Sequence, residues 1–259
     1  AASGTFSTID TTAAGVGANN KYIGAAAVGG NVYFAPHFEN NIGVLAVATS
    51  VFSTIDVAAA GVAGQTKYSG AAAVGDKVYF VPYKQDNVGV LDAATSTFST
   101  IGTSSAGVSG VTKYYGAAAV GTIVYFAPHN QDNVGSIDTA TSTFSTISTA
   151  AAGVDANDKY RGAAVVGGKV YFGPYNQDNV GVLDIATSAF STIGTASAGV
   201  SGNNKYGGAA AVGTNVYFAP SGMGNVGMLD TTTSTFTTID TEAAGISGYG
   251  QYAFRYDGA

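Results

Sequence analysis

The chain has 259 residues, of which only 10 % are charged, and its formal net charge is −6. An acidic chain without a stripe of Lys and Arg is a poor partner for nucleic acid, and no apolar run approaches the ~18 residues of a membrane span. It contains no cysteine, which excludes disulfides and thiolate metal sites. We therefore expect no nucleic-acid partner and no membrane span.

A block of 46 residues recurs along the chain, and a Lys-Tyr step marks it. Such a period is typical of repeat architectures. We predict one domain over residues 1–259, with terminal closure or capping segments at 1–20 and 251–259. The repeats are 21–66, 67–112, 113–158, 159–204 and 205–250. The tyrosines that mark the period are Tyr22, Tyr68, Tyr114, Tyr160, Tyr206 and, in a degenerate last copy, Tyr252.

Each repeat contains four short β-runs bounded by turn residues. In the second copy they are 68–74, 78–81, 87–91 and 97–101. A Val-Gly-x-x-Val step between the first two runs suits a hairpin turn with positive φ at the glycine. An Asp-x-Ala-Thr-Ser loop joins the last two runs, and its aspartate is expected to bond to nearby backbone. Four antiparallel strands per repeat predict an all-β protein built of β-propeller blades.

The number of copies predicts five blades, closed by a terminal strand. Five copies of the first three strands are present, but the fourth-strand motif occurs six times, led by Phe6, Phe52, Phe98, Phe144, Phe190 and Phe236. A terminal strand that completes the blade made at the other end would hide unpaired edges. A six-bladed or truncated ring is the alternative.

The motifs Val-Tyr-Phe-Ala-Pro, Asp-Asn-Val-Gly-Val-Leu-Asp and Ala-Thr-Ser-Thr-Phe-Ser-Thr-Ile resemble blades of the YVTN type. This resemblance covers about half of each repeat, and the architecture is similar to that of five-bladed tachylectin-type propellers. It implies a propeller, and it implies a secreted or cell-surface location, with an organelle lumen as an alternative. The Trp-bearing sugar motifs of the tachylectin type have no counterpart in this chain, so the resemblance assigns no binding residue.

Two long loops per repeat are expected to share one face, where sites of repeat proteins tend to lie. Lysines on this face would either pair with neighbouring aspartates or form a cationic mouth for an anion or acidic glycan. The tyrosines would either pack at the channel mouth or stack on sugars. The candidate ligand-binding residues are Lys21, Tyr22, Lys67, Tyr68, Lys113, Tyr114, Lys159, Tyr160, Lys205, Tyr206, His37, Tyr83, His129, Tyr175, Asp86, Asp132 and Asp178.

The sequence indicates neither a catalytic centre nor a cofactor or metal site. One aspartate per loop supplies too few oxygens for calcium, and His37 and His129 belong to alternate blades. No nucleophile–base pair is visible, because the polar residues recur blade by blade. The residue after the marker tyrosine does vary between copies, which indicates either tuned recognition or drift. The variable set is Ile23, Ser69, Tyr115, Arg161 and Gly207.

These observations favour a non-catalytic binding or scaffold propeller, with repeated sites for a glycan or a protein partner. A structural subunit or surface component that mediates protein–protein assembly is the alternative. A propeller lyase or lactonase is a further alternative, and it would need unique polar residues at the channel. Near-identical repeats also invite blade exchange, so oligomers are a further expectation.

Overall fold

The computed structural model describes residues 7–241, and within them the repeat folds into five four-stranded antiparallel sheets. Each sheet is one blade, numbered 1 to 5 in chain order, and each is built from four consecutive strands of one repeat. The predicted all-β, five-bladed arrangement is confirmed. Of the predicted closing or capping segments, residues 1–6 and 251–259 lie outside the described residues, and residues 7–20 form no strand.

The strand bounds repeat with the period of the sequence. The first strands are β1 (Tyr22–Val28), β5 (Tyr68–Val74), β9 (Tyr114–Val120), β13 (Tyr160–Val166) and β17 (Tyr206–Val212). The second strands are β2 (Asn31–Pro36), β6 (Lys77–Pro82), β10 (Ile123–Pro128), β14 (Lys169–Pro174) and β18 (Asn215–Pro220). The third strands are β3 (Asn41–Ala46), β7 (Asn87–Asp92), β11 (Asn133–Asp138), β15 (Asn179–Asp184) and β19 (Asn225–Asp230). The fourth strands are β4 (Val51–Asp56), β8 (Thr97–Gly102), β12 (Thr143–Ser148), β16 (Ala189–Gly194) and β20 (Thr235–Asp240).

The predicted turn chemistry is present in the blades. Gly75, at the hairpin between β5 and β6, has φ of 58°, and its four counterparts are also positive. In the loop between β7 and β8, the Oδ1 atom of Asp92 accepts hydrogen bonds from the backbone N–H groups of Ala94 and Thr95, each at 3.1 Å. These local bonds fix the strand order that the sequence predicts.

A single 3-10 turn, which the sequence pattern did not predict, follows each of the fourth strands β4, β8, β12 and β16, and another precedes β1. Each turn ends at a glycine in the left-handed region, such as Gly107 with φ of 72°. The turns lead the chain from the rim of one blade to the first strand of the next. They are Thr12–Ala14, Ala58–Ala60, Ser104–Ala106, Ala150–Ala152 and Ala196–Ala198. No helix among residues 7–241 is long and apolar enough to cross a membrane.

The hydrophobic core lies between the faces of neighbouring blades. Side chains alternate along each strand, so that Val124 and Phe126 pack toward blade 2 while Tyr125 and Ala127 pack toward blade 4. Four such clusters join blades 1 and 2, 2 and 3, 3 and 4, and 4 and 5. Each blade is therefore stabilised mainly by its neighbours, which follows from a sheet that is apolar on both faces.

The first strands of all five blades line one central cavity of about 440 Å³. Neighbouring first strands approach each other at a ring of glycines, where a β-bulge shifts the register at the start of each strand. A Cβ atom on Gly116 would lie 2.7 Å from the Cα atom of Gly162. The close approach is available only to glycine, so these residues set the spacing of the blades around the cavity. The ring consists of Gly24, Gly70, Gly116, Gly162 and Gly208.

Candidate functional site

The lysines of the Lys-Tyr steps, which we call the marker lysines, lie between blades. In blades 2 to 5 they are fully buried. The Nζ atom of Lys113 is 2.9 Å from the Oδ1 atom of Asp86 in the preceding blade, and it also donates to the carbonyl oxygen atoms of Lys84 and Gly110. Lys159 pairs with Asp132 at 2.9 Å, and Lys205 pairs with Asp178 at 3.0 Å. The predicted lysine–aspartate pairs are thus confirmed.

Asparagine replaces the aspartate in the first of these contacts. The ammonium group of Lys67 donates to the Oδ1 atom of Asn40 at 3.2 Å and to the carbonyl oxygen atoms of Phe38 and Gly64. Burial lowers the pKa of Lys67, as it does for Lys113 and Lys205, where the aspartate partner acts in the opposite direction. These contacts are structural, and a role for the buried lysines in ligand binding stays a prediction.

The marker tyrosines are buried in the same interfaces. Tyr68, Tyr114, Tyr160 and Tyr206 have no exposed surface, and the hydroxyl group of each donates to an asparagine of its own blade. The Tyr114 ring lies against Phe126 and Phe144. It also covers Gly135 of β11, where an added Cβ atom would clash with the ring. The predicted packing role is confirmed. In blade 1, Lys21 and Tyr22 are half-buried and closer to solvent.

We predict an alkaline unfolding transition from these tyrosines. Burial raises the pKa of Tyr68, Tyr114, Tyr160 and Tyr206 well above 10. In the unfolded chain they ionise near pH 10, so the stabilisation is complete below that pH and is lost as the pH rises above it. Lys67, Lys113 and Lys205 contribute in the opposite sense, because burial lowers the pKa of each, but the stability that they gain with rising pH stops increasing near pH ~10.5.

Tyrosinate absorbance and near-ultraviolet circular dichroism over a pH titration measure this transition. We expect most tyrosines to ionise cooperatively, together with the loss of tertiary structure. Protein unfolded in urea is the control and should ionise gradually around pH ~10. Gradual ionisation with retained tertiary structure would contradict the prediction.

A continuous arc of rings on the loop-rich face crosses four blades. It occupies the position that follows the strand-ending proline, and we call it the mouth arc: His37, Tyr83, His129 and Tyr175. Consecutive ring centroids are 5.7, 6.1 and 6.0 Å apart. Blade 5 has Ser221 at this position, so the arc ends there. The sequence correctly predicted these residues to share one face, and the structure adds that consecutive rings are in contact.

Two residues of the first strands extend the mouth arc toward the cavity. Tyr115 contacts Tyr83 and His129, with ring centroids 6.0 and 5.6 Å apart, and it also lines the central cavity. The guanidinium carbon of Arg161 lies 3.6 Å from the centroid of the Tyr175 ring and 4.3 Å from that of Tyr115. Both distances are typical of cation–π contacts.

A contact between a histidine and an aspartate completes the site beside Arg161. The Nε2 atom of His129 lies 2.8 Å from the Oδ1 atom of Asp158, and its Nδ1 atom lies 3.2 Å from the carbonyl oxygen of Tyr160. Burial lowers the pKa of His129, while Asp158 acts in the opposite direction. The hydrogen bond from His129 lowers the pKa of Asp158. Both ring nitrogens therefore face acceptor oxygens of the protein, and a neutral imidazole can donate to only one of them.

The candidate site contains residues that were absent from the predicted set. Tyr115, Arg161 and Asp158 belong to it, and the variation at the position after the marker tyrosine was the available signal for the first two. Asp86, Asp132 and Asp178 lie in the loops of the same face, each with about half or more of its side chain exposed. No group of three or more His, Asp or Glu side chains that could hold a metal ion is found among residues 7–241.

Comparison with known proteins supports the fold. No family model matches the sequence, and no curated protein matches it. Among solved structures, the chain is similar to one in the crystal structure of the nidogen/laminin complex, with a TM-score of 0.64, 15 % identity, and coverage of 92 % of this chain and 83 % of that chain. It is also similar to virginiamycin B lyase from Staphylococcus aureus, with a TM-score of 0.63, 12 % identity, and coverage of 85 % and 70 %. The fold is that of a β-propeller.

A third similar structure is the extracellular domain of a putative one-component system from B. thetaiotaomicron. Its TM-score is 0.60 at 12 % identity, and the match covers 82 % of this chain and 28 % of that chain. The roles of these propellers differ, and at such identities the likeness concerns the fold alone. Function must therefore be argued from the site.

Proposed function

We propose that the protein is a non-catalytic binding propeller, secreted or exposed at the cell surface, which binds a carbohydrate at the mouth arc. The observation that carries the proposal is the break in the repeat at this site. Tyr115 and Arg161 replace the small or aliphatic residues that other blades carry, and both contact Tyr175 or its neighbours in the arc. Rings and a guanidinium group beside a cavity suit the faces and polar groups of sugars.

The contacts of the site support binding rather than catalysis. His129 has no exposed surface, and its two ring nitrogens face the Asp158 carboxylate and the Tyr160 carbonyl, so it is poorly placed to act as a general base on a bound ligand. Arg161 is half-buried and held between two rings, which orients it at low entropic cost for a carboxylate or hydroxyl group. The marker lysines and tyrosines of blades 2 to 5 have no exposed surface, whereas Tyr83 and Arg161 are half-buried and Tyr115 lines the central cavity. The proposal therefore places one asymmetric site at these residues, instead of the multiple equivalent sites that the sequence suggested.

A glycan array with neutral and uronic-acid oligosaccharides tests the proposal. We expect saturable binding that falls at least about tenfold in Arg161→Ser and in Tyr115→Ser, a loss of about 1.4 kcal/mol. Both substitutions copy Ser69, which blade 2 carries at the same position, so the blade backbone tolerates them. Thermal unfolding of each variant verifies the fold.

Lys84→Asn is the matched control. It removes a cation from the same face and copies Asn130, the equivalent residue of blade 3. Binding should be retained in this variant. An empty array, or equal binding by all three variants, would contradict the carbohydrate proposal and favour the structural-subunit alternative, which pull-down of protein partners would then test.

A further inference from the structure

The position that varies between repeats lies at the central cavity. Four of the five residues that follow a marker tyrosine line this cavity: Ile23, Ser69, Tyr115 and Gly207. The fifth is Arg161, and it directly precedes Gly162, which lines the cavity as well. The variation noted in the sequence therefore falls on the wall of the cavity, where it shapes the space that a ligand would enter.

The wall of the cavity is mainly apolar. Among the described residues that line it, none has a charged side chain, and most are Gly or Ala. The hydroxyl group of Ser69 donates to the carbonyl oxygen of Tyr114 at 2.7 Å, and that of Tyr22 donates to the Oδ1 atom of Asn41. These two hydroxyl groups are already bonded within the protein, so the side chains present mainly carbon atoms to a ligand. The volume, about 440 Å³, is within the range of small-molecule sites.

Part of this apolar wall is accessible to solvent. Ala25 is exposed, and Tyr22 and Phe34 are half-buried, although the equivalents of Phe34 in blades 2 to 5 are fully buried. Covering such a surface with an apolar group is favourable. The two rings lie on the side of blade 1 only, and Gly and Ala form most of the other walls. A flexible alkyl chain fits such walls better than a flat ring, which would find an aromatic partner on one side only.

We propose that the central cavity is a binding site for the alkyl chain of a ligand whose sugar head lies at the mouth arc, so that the protein binds alkyl- or acyl-bearing sugars. Tyr115 joins the two sites, because it contacts Tyr83 and His129 of the mouth arc and also lines the cavity. Arg161 lies against the same tyrosine. The place of the sugar head rests on the function proposed above, whereas the place of the chain rests on the cavity alone.

Isothermal titration calorimetry of the full chain with three probes tests this proposal. Methyl glucuronide supplies the sugar alone, 1-octanol supplies the chain alone, and octyl glucuronide supplies both. All titrations stay below the concentration at which octyl glucuronide forms micelles. We expect octyl glucuronide to bind at least about tenfold more tightly than methyl glucuronide, and we expect saturable binding of 1-octanol.

Two leucine variants in β1 locate the chain. Ala25 is exposed and lines the cavity, so Ala25→Leu fills part of the space. Ala27 is exposed in the same strand but is not among the residues that line the cavity, so Ala27→Leu is the matched control. Ala25→Leu should lose the tenfold gain from the octyl chain and should lose octanol binding, while its affinity for methyl glucuronide stays unchanged. Ala27→Leu should behave like the unmodified chain, and thermal unfolding verifies both folds.

The three probes separate a failure of this proposal from a failure of the carbohydrate proposal. Equal binding of methyl and octyl glucuronide by the unmodified chain, or equal effects of the two leucine substitutions, would overturn the chain site and leave the sugar site standing. Octanol binding that Ala25→Leu abolishes, without binding of either glucuronide, would support the chain site and contradict the sugar site.

Discussion

Replacing Gly116 with alanine should lower the free energy of unfolding by about 3 kcal/mol or more. Gly116 has φ of 86°, a conformation that alanine adopts only with strain, and a Cβ atom would lie 2.7 Å from the Cα atom and 2.8 Å from the backbone nitrogen of Gly162. Since both obstacles are backbone atoms, the clash is relieved only by moving blade 4 away from blade 3. Urea unfolding measures the loss.

Gly121→Ala separates the clash from the backbone strain. Gly121 also has positive φ, 57°, but a Cβ atom on it would meet no heavy atom within 4 Å. We expect a loss of about 1 kcal/mol from strain alone. If the two variants lost the same stability, the close approach of neighbouring first strands would not determine how the blades pack.

Replacing Asp86 with alanine should cost about 1–3 kcal/mol in stability. Lys113 is fully buried and would keep only its two carbonyl acceptors, but the Asp86 side chain is 55 % exposed, which screens part of the interaction. The pKa of Lys113, already lowered by burial, should fall further without the carboxylate. Chemical denaturation at neutral pH and lysine titration by nuclear magnetic resonance measure the two effects.

Asp86→Asn is the matched variant, because the protein itself uses Asn40 opposite the equivalent Lys67. It should retain most of the stability that alanine loses, with a change below about 1 kcal/mol. Equal losses in the two variants would show that the side-chain acceptor at this position does not stabilise the buried ammonium group.

Much of the blade was predictable from the sequence. The predicted first run of the second copy coincides with β5, and the other three runs differ from their strands only at the ends. This agreement arises because strand alternation, turn glycines and the capping role of Asp92 are local properties, and repetition displays the first two five times and the aspartate four times. Local patterns also correctly suggested that the marker lysines pair with aspartates.

What the sequence could not predict depends on neighbouring blades. The burial of Lys113 and Tyr114 follows from how closely blade 2 approaches blade 3, a distance that the glycine ring sets and that no single repeat encodes. The site at Arg161 likewise arises from three rings on two adjacent blades. The 3-10 turns were missed because Ala-Ala-Gly reads as an unstructured loop when only strand periodicity is considered.

The strand order within each sheet has an evolutionary consequence. Every described blade takes its four strands from one repeat, and none borrows a strand from another. A recombination event between equivalent points of two repeats therefore adds or removes 46 residues as a whole blade and leaves no strand without its hairpin partner. The number of blades can thus change in a lineage by single genetic steps. The new contacts between adjacent blades would have the same residue types as the existing ones.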